Sequence, residues 1–433
     1  MSRLLLIAAR NLLQHRGRTL MLGSAIALVT LLLVLLTSVS RGVQDTMLRA
    51  ATTIATGHVN IAGFYKITSG QAAPVVTRYE PLVKWVRQEV PEARLVVDRL
   101  RGWGKLISPT ASVQVGVRGV DIDAEPELAR VLSIVQGDLR GLRRPNTALL
   151  FAKQAEKLAV RVGDTLTLSA PTVRGANNAV DVEVVAIARN LGLLSQFNIF
   201  APKQTVREIY LLKRDTTGAI QLLLRDPSRA AGVAERLRAG LTRQGYRLLD
   251  AQAEPFWMKI PIVTREDWTG QKLDVTTWRD ELAMLTWILT AFDTVTVVVV
   301  GILLVIIVIG VMNALWISIR ERTREIGTLR AIGMGRGRVL LMFMLESGLL
   351  ALGATTIGAL LGVAGAHLLN AARIELSPGF AIFLMSDTLQ LAVWPRAVVG
   401  AAALISGVIT CFALYPAYRA ARLRPVLALH DVG

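Results

Sequence analysis

Between two long apolar runs the chain reads RERTREIGTLRAIG, residues 320–333. The segment is rich in arginine, and Ile326, Leu329 and Ile332 recur near one face of a helix, which predicts an amphipathic helix at a membrane surface. The apolar runs on either side of it are long enough to cross a bilayer. This alternation of apolar runs with short basic segments indicates a membrane protein.

The composition predicts a membrane part joined to a soluble part. The 433 residues are 52% hydrophobic with a mean hydropathy of +0.47, yet 19% of them are charged. Such a chain is too apolar for a soluble protein and too charged to be embedded throughout. Apolar runs at 19–40, 288–317, 346–370 and 397–417 predict four transmembrane helices. The first run exceeds a signal-peptide h-region, so we expect it to be retained.

The distribution of arginine predicts the topology. Residues 1–18, 318–338 and 419–433 together hold 13 Arg and three acidic residues. By the positive-inside rule these three segments are cytoplasmic. A net charge of +17 could also indicate a protein that binds nucleic acid. Here the arginines of the three cytoplasmic segments account for much of the charge, and the remaining excess of Lys and Arg is spread thinly along the chain. We therefore expect no nucleic-acid partner.

The long segment between the first two apolar runs alternates strand and helix signals. We expect strands at 58–62, 94–97, 112–120, 165–169, 181–188 and 219–225, and helices at 80–89, 125–135, 148–158, 202–212 and 227–244. Helical patterns at 41–56 and 278–320 predict stalks at its two ends. The fold class is therefore membrane α-helical with four transmembrane helices, plus a large extracytoplasmic α+β domain of two subdomains.

The predicted organisation follows directly from these segments. It is a cytoplasmic segment 1–18, helix 19–40, an extracytoplasmic domain 41–283, helix 288–317, a cytoplasmic coupling helix and loop 318–338, helix 346–370, an external loop 371–396, helix 397–417 and a cytoplasmic tail 418–433.

Four segments resemble known families. ALLFAKQAEKLAVRVGDTLTL, residues 148–168, is similar to the helix, Leu-x-Val, Gly-Asp, strand signature of MacB-type periplasmic domains. Residues 322–333 resemble the Arg-x-x-Glu-Ile-Gly-x-x-[Lys/Arg]-Ala-x-Gly motif of FtsX-like permeases, and residues 415–429 resemble the closing motif of that domain. GHVNI, residues 57–61, is similar to segments of the lipoprotein-releasing (LolC/LolE) branch.

The resemblance implies an ABC transporter permease with a MacB-like periplasmic core, in a bacterial inner membrane with both termini cytoplasmic. It implies as partners an ABC ATPase dimer, a second permease copy or a paralogous permease, lipoprotein cargo or a periplasmic partner, and membrane lipid. The sequence has no Gly-x-x-x-x-Gly-Lys-[Ser/Thr] motif, so ATP and Mg are expected on the partner ATPase, with no cofactor in this chain. No catalytic group and no Cys/His metal cluster is expected, and we predict no enzymatic activity.

The resemblance and the helical pattern together give the candidate site residues. The residues expected to couple to the ATPase would place an apolar face in a groove of the ATPase, with arginines at the rim of the contact. They are Arg320, Glu321, Arg322, Arg324, Glu325, Ile326, Leu329, Arg330 and Ile332. The alternative is that the segment only lies on anionic lipid. Those expected to face cargo are Met47, Ile54, Leu285, Trp287 and Ile288, and the alternative is that they pack a dimer seam.

Several smaller features are left open by the sequence. We expect structural roles for the acidic residues Asp293 and Glu346. The run Gly333-x-Gly335-x-Gly337 is expected to turn the chain back toward the bilayer. Gly358-x-x-x-Gly362 predicts close helix packing, within the subunit or between subunits. The cluster 255–260 fits either a core or a partner surface.

Three functions fit this sequence. The first is extraction of lipoproteins from the membrane, driven by a separate ATPase. The second is MacB-like export of a periplasmic peptide or small molecule through an outer-membrane partner. The third is FtsX-like mechanical regulation of a cell-wall hydrolase, which the large external domain disfavours.

Overall fold

The protein forms two compact units in a computed structural model, which describes residues 2–14, 16–68, 70–172, 175–192, 194–386 and 388–422. The helical unit comprises Met1–Asp45, Leu289–Glu375 and Thr388–Gly433. The sheet unit comprises Thr46–Ile288 and Leu376–Asp387. Most of the predicted tail, residues 423–433, lies outside the described residues.

The elements follow in chain order. The helices are α1 (Ser2–Gln14), α2 (Arg16–Ala51), α3 (Tyr79–Glu89), α4 (Pro126–Val131), α5 (Ala152–Leu158), α6 (Leu194–Phe197), α7 (Lys203–Tyr210), α8 (Ala230–Arg243), α9 (Phe256–Arg265), α10 (Trp278–Glu281), α11 (Ala283–Glu321), α12 (Thr323–Ala331), α13 (Arg336–Ala371), α14 (Pro378–Leu384) and α15 (Pro395–Ala421). The strands are β1 (Val59–Lys66), β2 (Ala72–Ala73), β3 (Val76–Thr77), β4 (Ala93–Ile107), β5 (Ser112–Val120), β6 (Ile134–Gly137), β7 (Thr147–Phe151), β8 (Thr165–Pro171), β9 (Asn177–Ala188), β10 (Asn198–Pro202), β11 (Thr216–Thr217), β12 (Ala219–Leu224) and β13 (Gly270–Thr277).

Four helices in the described residues are long and apolar enough to cross a membrane. The candidate spans are Thr19–Thr56, Leu285–Glu321, Arg336–Ala371 and Pro395–Ala421. Their common core contains Ile26 and Val34 of α2, Ile307 of α11, Ala354 of α13 and Ile405 of α15. With the sheet unit described below, these spans confirm the predicted fold class.

The glycines at 358 and 362 let two of these helices approach closely within one chain. A Cβ on Gly358 would lie 2.3 Å from the Ala27 carbonyl oxygen, and one on Gly362 would lie 2.9 Å from Val34. The sequence left packing within the subunit and contact between subunits open. The structure uses both glycines for contact between α13 and α2 of the same chain.

Two helices differ from the predicted lengths. The pattern 278–320 predicts one helix, but the helix is interrupted at Leu282, which separates α10 from α11. Glu281 is buried there and accepts a hydrogen bond from Thr276 at 2.9 Å, which holds α10 against β13. At the other stalk, α2 ends at Ala51 and a π-helical turn, Thr52–Thr56, follows it.

The sheet unit is built around one long strand. In the described residues the strand order is β13-β1-β12-β4-β5-β10-β7-β9-β6, with β2 beside β1 and β8 paired to β4 and β9. One half of β4 pairs with β12 and the other half, from Leu100 to Ile107, pairs with β5. The sheet therefore has two halves that share β4, and β3 and β11 form a separate pair.

The predicted helix 148–158 is wrong in its first part, because residues 147–151 form β7. Ala148 and Leu150 belong to one hydrophobic cluster, whereas Leu149 and Phe151 belong to another. A strand buried on both faces is continuously apolar, and such a short run cannot be told from a buried helix by periodicity. The predicted helix 125–135 is similarly too long, since α4 ends at Val131 and β6 begins at Ile134.

The segment 255–260 has both a buried and an exposed side. Lys259 is buried and its Nζ lies 2.8 Å from Asp274 Oδ2. The guanidinium of Arg101 lies 3.5 Å from the centre of the Phe256 ring. Trp257 and Met258 are 50% and 46% exposed. One face of α9 therefore packs in the interior of the sheet unit, as the first of the two alternatives predicts, and the other face is open to solvent.

Candidate functional site: the segment between α11 and α13

The basic segment forms a short helix, α12, bounded by two breaks. Arg322 leaves the helical conformation between α11 and α12 with φ −104° and ψ 13°. At the other end Gly333 has φ +101°, a conformation that disfavours any residue with a Cβ. Gly335 is the extended residue before α13, and Gly337 lies inside α13. Of the three glycines, Gly333 is the one that the turn requires by its φ.

Arg322 is buried between two carboxylates. Its Nη1 lies 3.1 Å from Glu346 Oε2 of α13, and its Nε donates to Glu325 Oε2 at 2.9 Å. Burial disfavours the charge on Arg322, but the hydrogen bond that Arg322 donates to Glu325 and the charge of Glu346 outweigh it and raise the pKa of Arg322. The guanidinium also lies 5.9 Å from the centre of the Phe343 ring. Glu346, the acidic residue of the third apolar run, thus bonds the start of α12 to α13.

The apolar side of α12 packs inside its own chain. Ile326 is 1% exposed and contacts a cluster that includes Val339 and Phe343 of α13 and Ala420 of α15. Arg330 Nη1 donates to the carbonyl oxygen of Ala421 at 3.2 Å. A nine-residue helix is marginal alone, and α12 uses Ile326 to attach to its neighbours, with Leu329 partly buried against the same cluster. In this conformation Ile326 is not available to a partner, and entry of the apolar face into an ATPase groove stays a prediction.

A different stripe of the segment is exposed. Ile332 is 85% exposed, and Thr328 is exposed one turn before it. The exposed charged residues of the predicted coupling set are Arg320, Glu321, Arg324 and Glu325. The surface available for a partner is therefore charged, with one large apolar residue at its end.

The predicted cargo-facing residues are divided by their burial. Met47 and Ile54 are 0% exposed, and Leu285 is 4% exposed. Ile54 belongs to the same core cluster as Phe151 and Phe200. Trp287 is 73% exposed and Ile288 is partly exposed, so these two are the part of the set that this conformation presents at a surface.

The two acidic residues of the apolar runs have partners. Asp293 Oδ1 accepts a hydrogen bond from Gln44 Nε2 at 2.6 Å, within the helical unit. Glu346 bonds Arg322 as described above. Sequence reasoning assigned both a structural role but missed the partners, as well as the bond from Arg330 to Ala421. Acidic residues in an apolar run were the available signal, because such groups are costly without a partner.

Two family matches cover most of the chain. Residues 297–425 match the FtsX-like permease C-terminal family. Residues 19–239, which are more than half of the chain, match the MacB-like periplasmic core domain family. The second match includes β1 to β12, and the first includes α12, α13 and α15.

Individual relatives are similar over shorter regions. The macrolide export ATP-binding/permease protein MacB of Sodalis glossinidius is 36% identical over 121 residues, which are 28% of this chain and 17% of the relative. The protein of the same name from Neisseria gonorrhoeae is 38% identical over 121 residues, again 28% of this chain and 17% of the relative. The Campylobacter jejuni protein is 35% identical over 144 residues, 33% of this chain and 20% of the relative. The match thus spans a fifth or less of each relative.

The solved structures that are similar to part of this chain include two external domains of transporters. The extracellular domain of the noncanonic ABC-type transporter YknZ from Gram-positive bacteria has 11% identity and a TM-score of 0.29, over 43% of this chain and 95% of that one. The periplasmic region of MacB from Actinobacillus actinomycetemcomitans has 12% identity and a TM-score of 0.31, over 44% and 86%. The assignment depends on the family matches alone: the chain belongs to the FtsX-like permeases that carry a MacB-like periplasmic core domain.

Proposed function

We propose that the chain is the permease subunit of an ABC transporter, and that α12 receives the motion of an ATPase made by a separate polypeptide. The observation that carries this proposal is the attachment of α12. It is bonded to α13 through Arg322 and Glu346, and to the end of α15 through Arg330, while a charged stripe remains exposed.

The attachment of α12 suits it to transmit force. A flexible loop pushed by a partner would bend without moving its neighbours. In contrast, α12 is held to α13 and α15 by a buried ion pair, a hydrogen bond and a shared apolar cluster. Packed elements of this kind move as units. The 39 residues of α11 extend about 58 Å at 1.5 Å per residue, roughly twice the hydrocarbon thickness. A helix of that length can carry motion beyond the bilayer.

The exposed stripe can be tested without disturbing the attachment. We expect Ile332→Asp to lower the ATP hydrolysis stimulated by the permease at least about tenfold, because a charge replaces the one large apolar residue at the contact. The ATPase is the one that copurifies with the wild-type chain. Arg396→Glu, an exposed change at the start of α15 and outside the segment 318–338, is the control. Normal stimulation by Ile332→Asp would contradict the proposed contact.

For the cargo, we propose lipoprotein extracted from the membrane, supported by the GHVNI segment at 57–61 and by the exposed Trp287. The matched relatives are named for macrolide export, which favours export as the second candidate. Regulation of a cell-wall hydrolase is the third, and the large sheet unit disfavours it. Mass spectrometry of the copurified material separates them: acylated protein supports the first, and its repeated absence supports an exporter or a regulator.

A further inference from the structure

An apolar groove runs along the helical unit between α2 and α13. Its volume is about 790 Å³, and it extends along α2 from Thr19 to Leu31, which is about 18 Å at 1.5 Å per residue. Leu12 of α1 lines one end of it. None of the predicted coupling or cargo residues lines it. The groove lies along candidate membrane spans, so its open side meets lipid.

Side-chain size creates the groove. Small residues form its floor, among them Gly23 and Ala27 of α2 and Gly353 of α13. A Cβ on Gly353 would have nothing within 4 Å. Large residues such as Leu28 and Ile357, each 57% exposed, form its walls. An occupant of the groove gains dispersion contacts with the side chains on both of its sides.

The polar groups that line the groove already have partners. Thr19 Oγ1 donates to the Leu12 carbonyl oxygen at 2.8 Å, and Ser24 Oγ donates to the Met21 carbonyl oxygen at 3.0 Å. No hydrogen bond from an occupant is needed to satisfy these two hydroxyls. The groove is therefore suited to hydrocarbon rather than to a polar ligand.

The end of the groove at Leu12 is basic. Arg16 lies between Leu12 and Thr19 in the sequence, and its Nε donates to the Leu13 carbonyl oxygen at 3.3 Å, which places the guanidinium at the corner between α1 and α2. Arg10 and Arg16 are both exposed. Residues 1–44 contain no Asp or Glu. This end precedes the first span, at the depth where lipid headgroups lie.

We propose that the groove binds an acyl chain of an anionic phospholipid, with its phosphate beside Arg10 and Arg16. A transmembrane helix from a second copy is the other conceivable occupant, and it would reveal itself as a change of oligomeric state in the filled variants. An acyl chain is narrow enough to fill the space between the leucine walls, and the basic corner complements its negative headgroup.

The test is native mass spectrometry of the full-length chain in mild detergent, with added phosphatidylglycerol or with phosphatidylcholine of the same acyl chains. We expect the wild type to retain phosphatidylglycerol more strongly. Gly353→Leu, which fills the open floor, should weaken its retention at least about tenfold. Gly407→Leu on α15, where a Cβ also has nothing within 4 Å, is the matched control and should retain it. Ser24→Leu fills the groove from the other wall and should act as Gly353→Leu does.

The headgroup is tested by Arg10→Gln with Arg16→Gln, which should reduce the preference for phosphatidylglycerol by roughly fivefold for each arginine. Equal retention of the two lipids by the wild type would overturn the proposal. So would unchanged retention in both filled variants, or a filled variant that changes the oligomeric state instead. The measurement needs no ATPase, so its result is independent of the proposed coupling function.

Discussion

Arg322 and Glu346 are the residues on which the attachment of α12 most depends. Replacing one partner of a buried ion pair leaves the other charge uncompensated, which costs about 3 kcal/mol. We expect Glu346→Gln to lower the free energy of unfolding by that order, measured by thermal unfolding in detergent. Glu325→Gln should cost less than about 1 kcal/mol, because Glu325 is 60% exposed.

The same pair offers a second comparison. Replacing both Arg322 and Glu346 by Met removes the charges together and should recover most of the stability lost in Glu346→Gln, since no unpaired buried charge remains. If Glu346→Gln unfolds at the wild-type temperature, the pair does not hold α12 in place.

His58, the residue immediately before β1, makes the stability of the sheet unit depend on pH. Burial, followed by the charge of Arg94, lowers the pKa of His58 to about 4, and the Leu224 N–H donates to its Nδ1 at 2.8 Å. The unfolded chain therefore takes up a proton below about pH 6.5 and the folded chain does so only near 4. Stability should fall by up to about 3 kcal/mol between these values and be full above them.

The check is the pH dependence of thermal unfolding of the full chain in detergent. His58→Asn keeps a side-chain acceptor for Leu224 but does not titrate, so its melting temperature should vary less between pH 6.5 and 4. An equal slope for the wild type and His58→Asn would remove His58 as the cause.

At the scale of elements, the contact between α2 and α13 depends on one glycine more than on another in the same helix. A Cβ on Gly358 would lie 2.3 Å from the Ala27 carbonyl oxygen, whereas a Cβ on Gly353 has nothing within 4 Å. We expect Gly358→Ala to cost about 1 to 3 kcal/mol by overpacking. Gly353→Ala should be neutral or slightly stabilising, since alanine favours the helix. Thermal unfolding of the two variants compares their stability. Equal stability would show that the close contact of α2 with α13 at Gly358 does not stabilise the protein.

The elements also show where sequence patterns predict well. The strand at 112–120 has the predicted bounds, and the helix predicted at 80–89 begins only one residue earlier in the structure. Both predictions agree well because the hydrophobic periodicity of these segments is regular. The pattern was ambiguous at 147–151, where β7 is buried on both faces. The helix α1 was not predicted, because a basic segment with scattered leucines resembles a topology signal as much as a helix.

For the whole molecule, the positive-inside pattern predicts that α12 faces the cytoplasm and the sheet unit faces outward. Single cysteines in a Cys411→Ser background test this with a membrane-impermeant maleimide on intact cells. Glu235→Cys on the exposed side of α8 should react at once, and Ile332→Cys should react only after permeabilisation. The opposite order of labelling would invert the topology and remove the contact with a cytoplasmic ATPase.

By itself the sequence determined the membrane class, the positions of the apolar spans and the basic segment between the second and third spans, because these depend on composition and short-range periodicity. The family was indicated by the resemblance of the motifs at 148–168, 322–333 and 415–429. Only the tertiary structure decided which face of α12 is free. A helix pattern shows that Ile326 and Ile332 are both apolar, but packing against α13 and α15 buries the first and exposes the second. The same holds for Arg322, since its partner Glu346 is 24 residues away and only folding brings the two charges together.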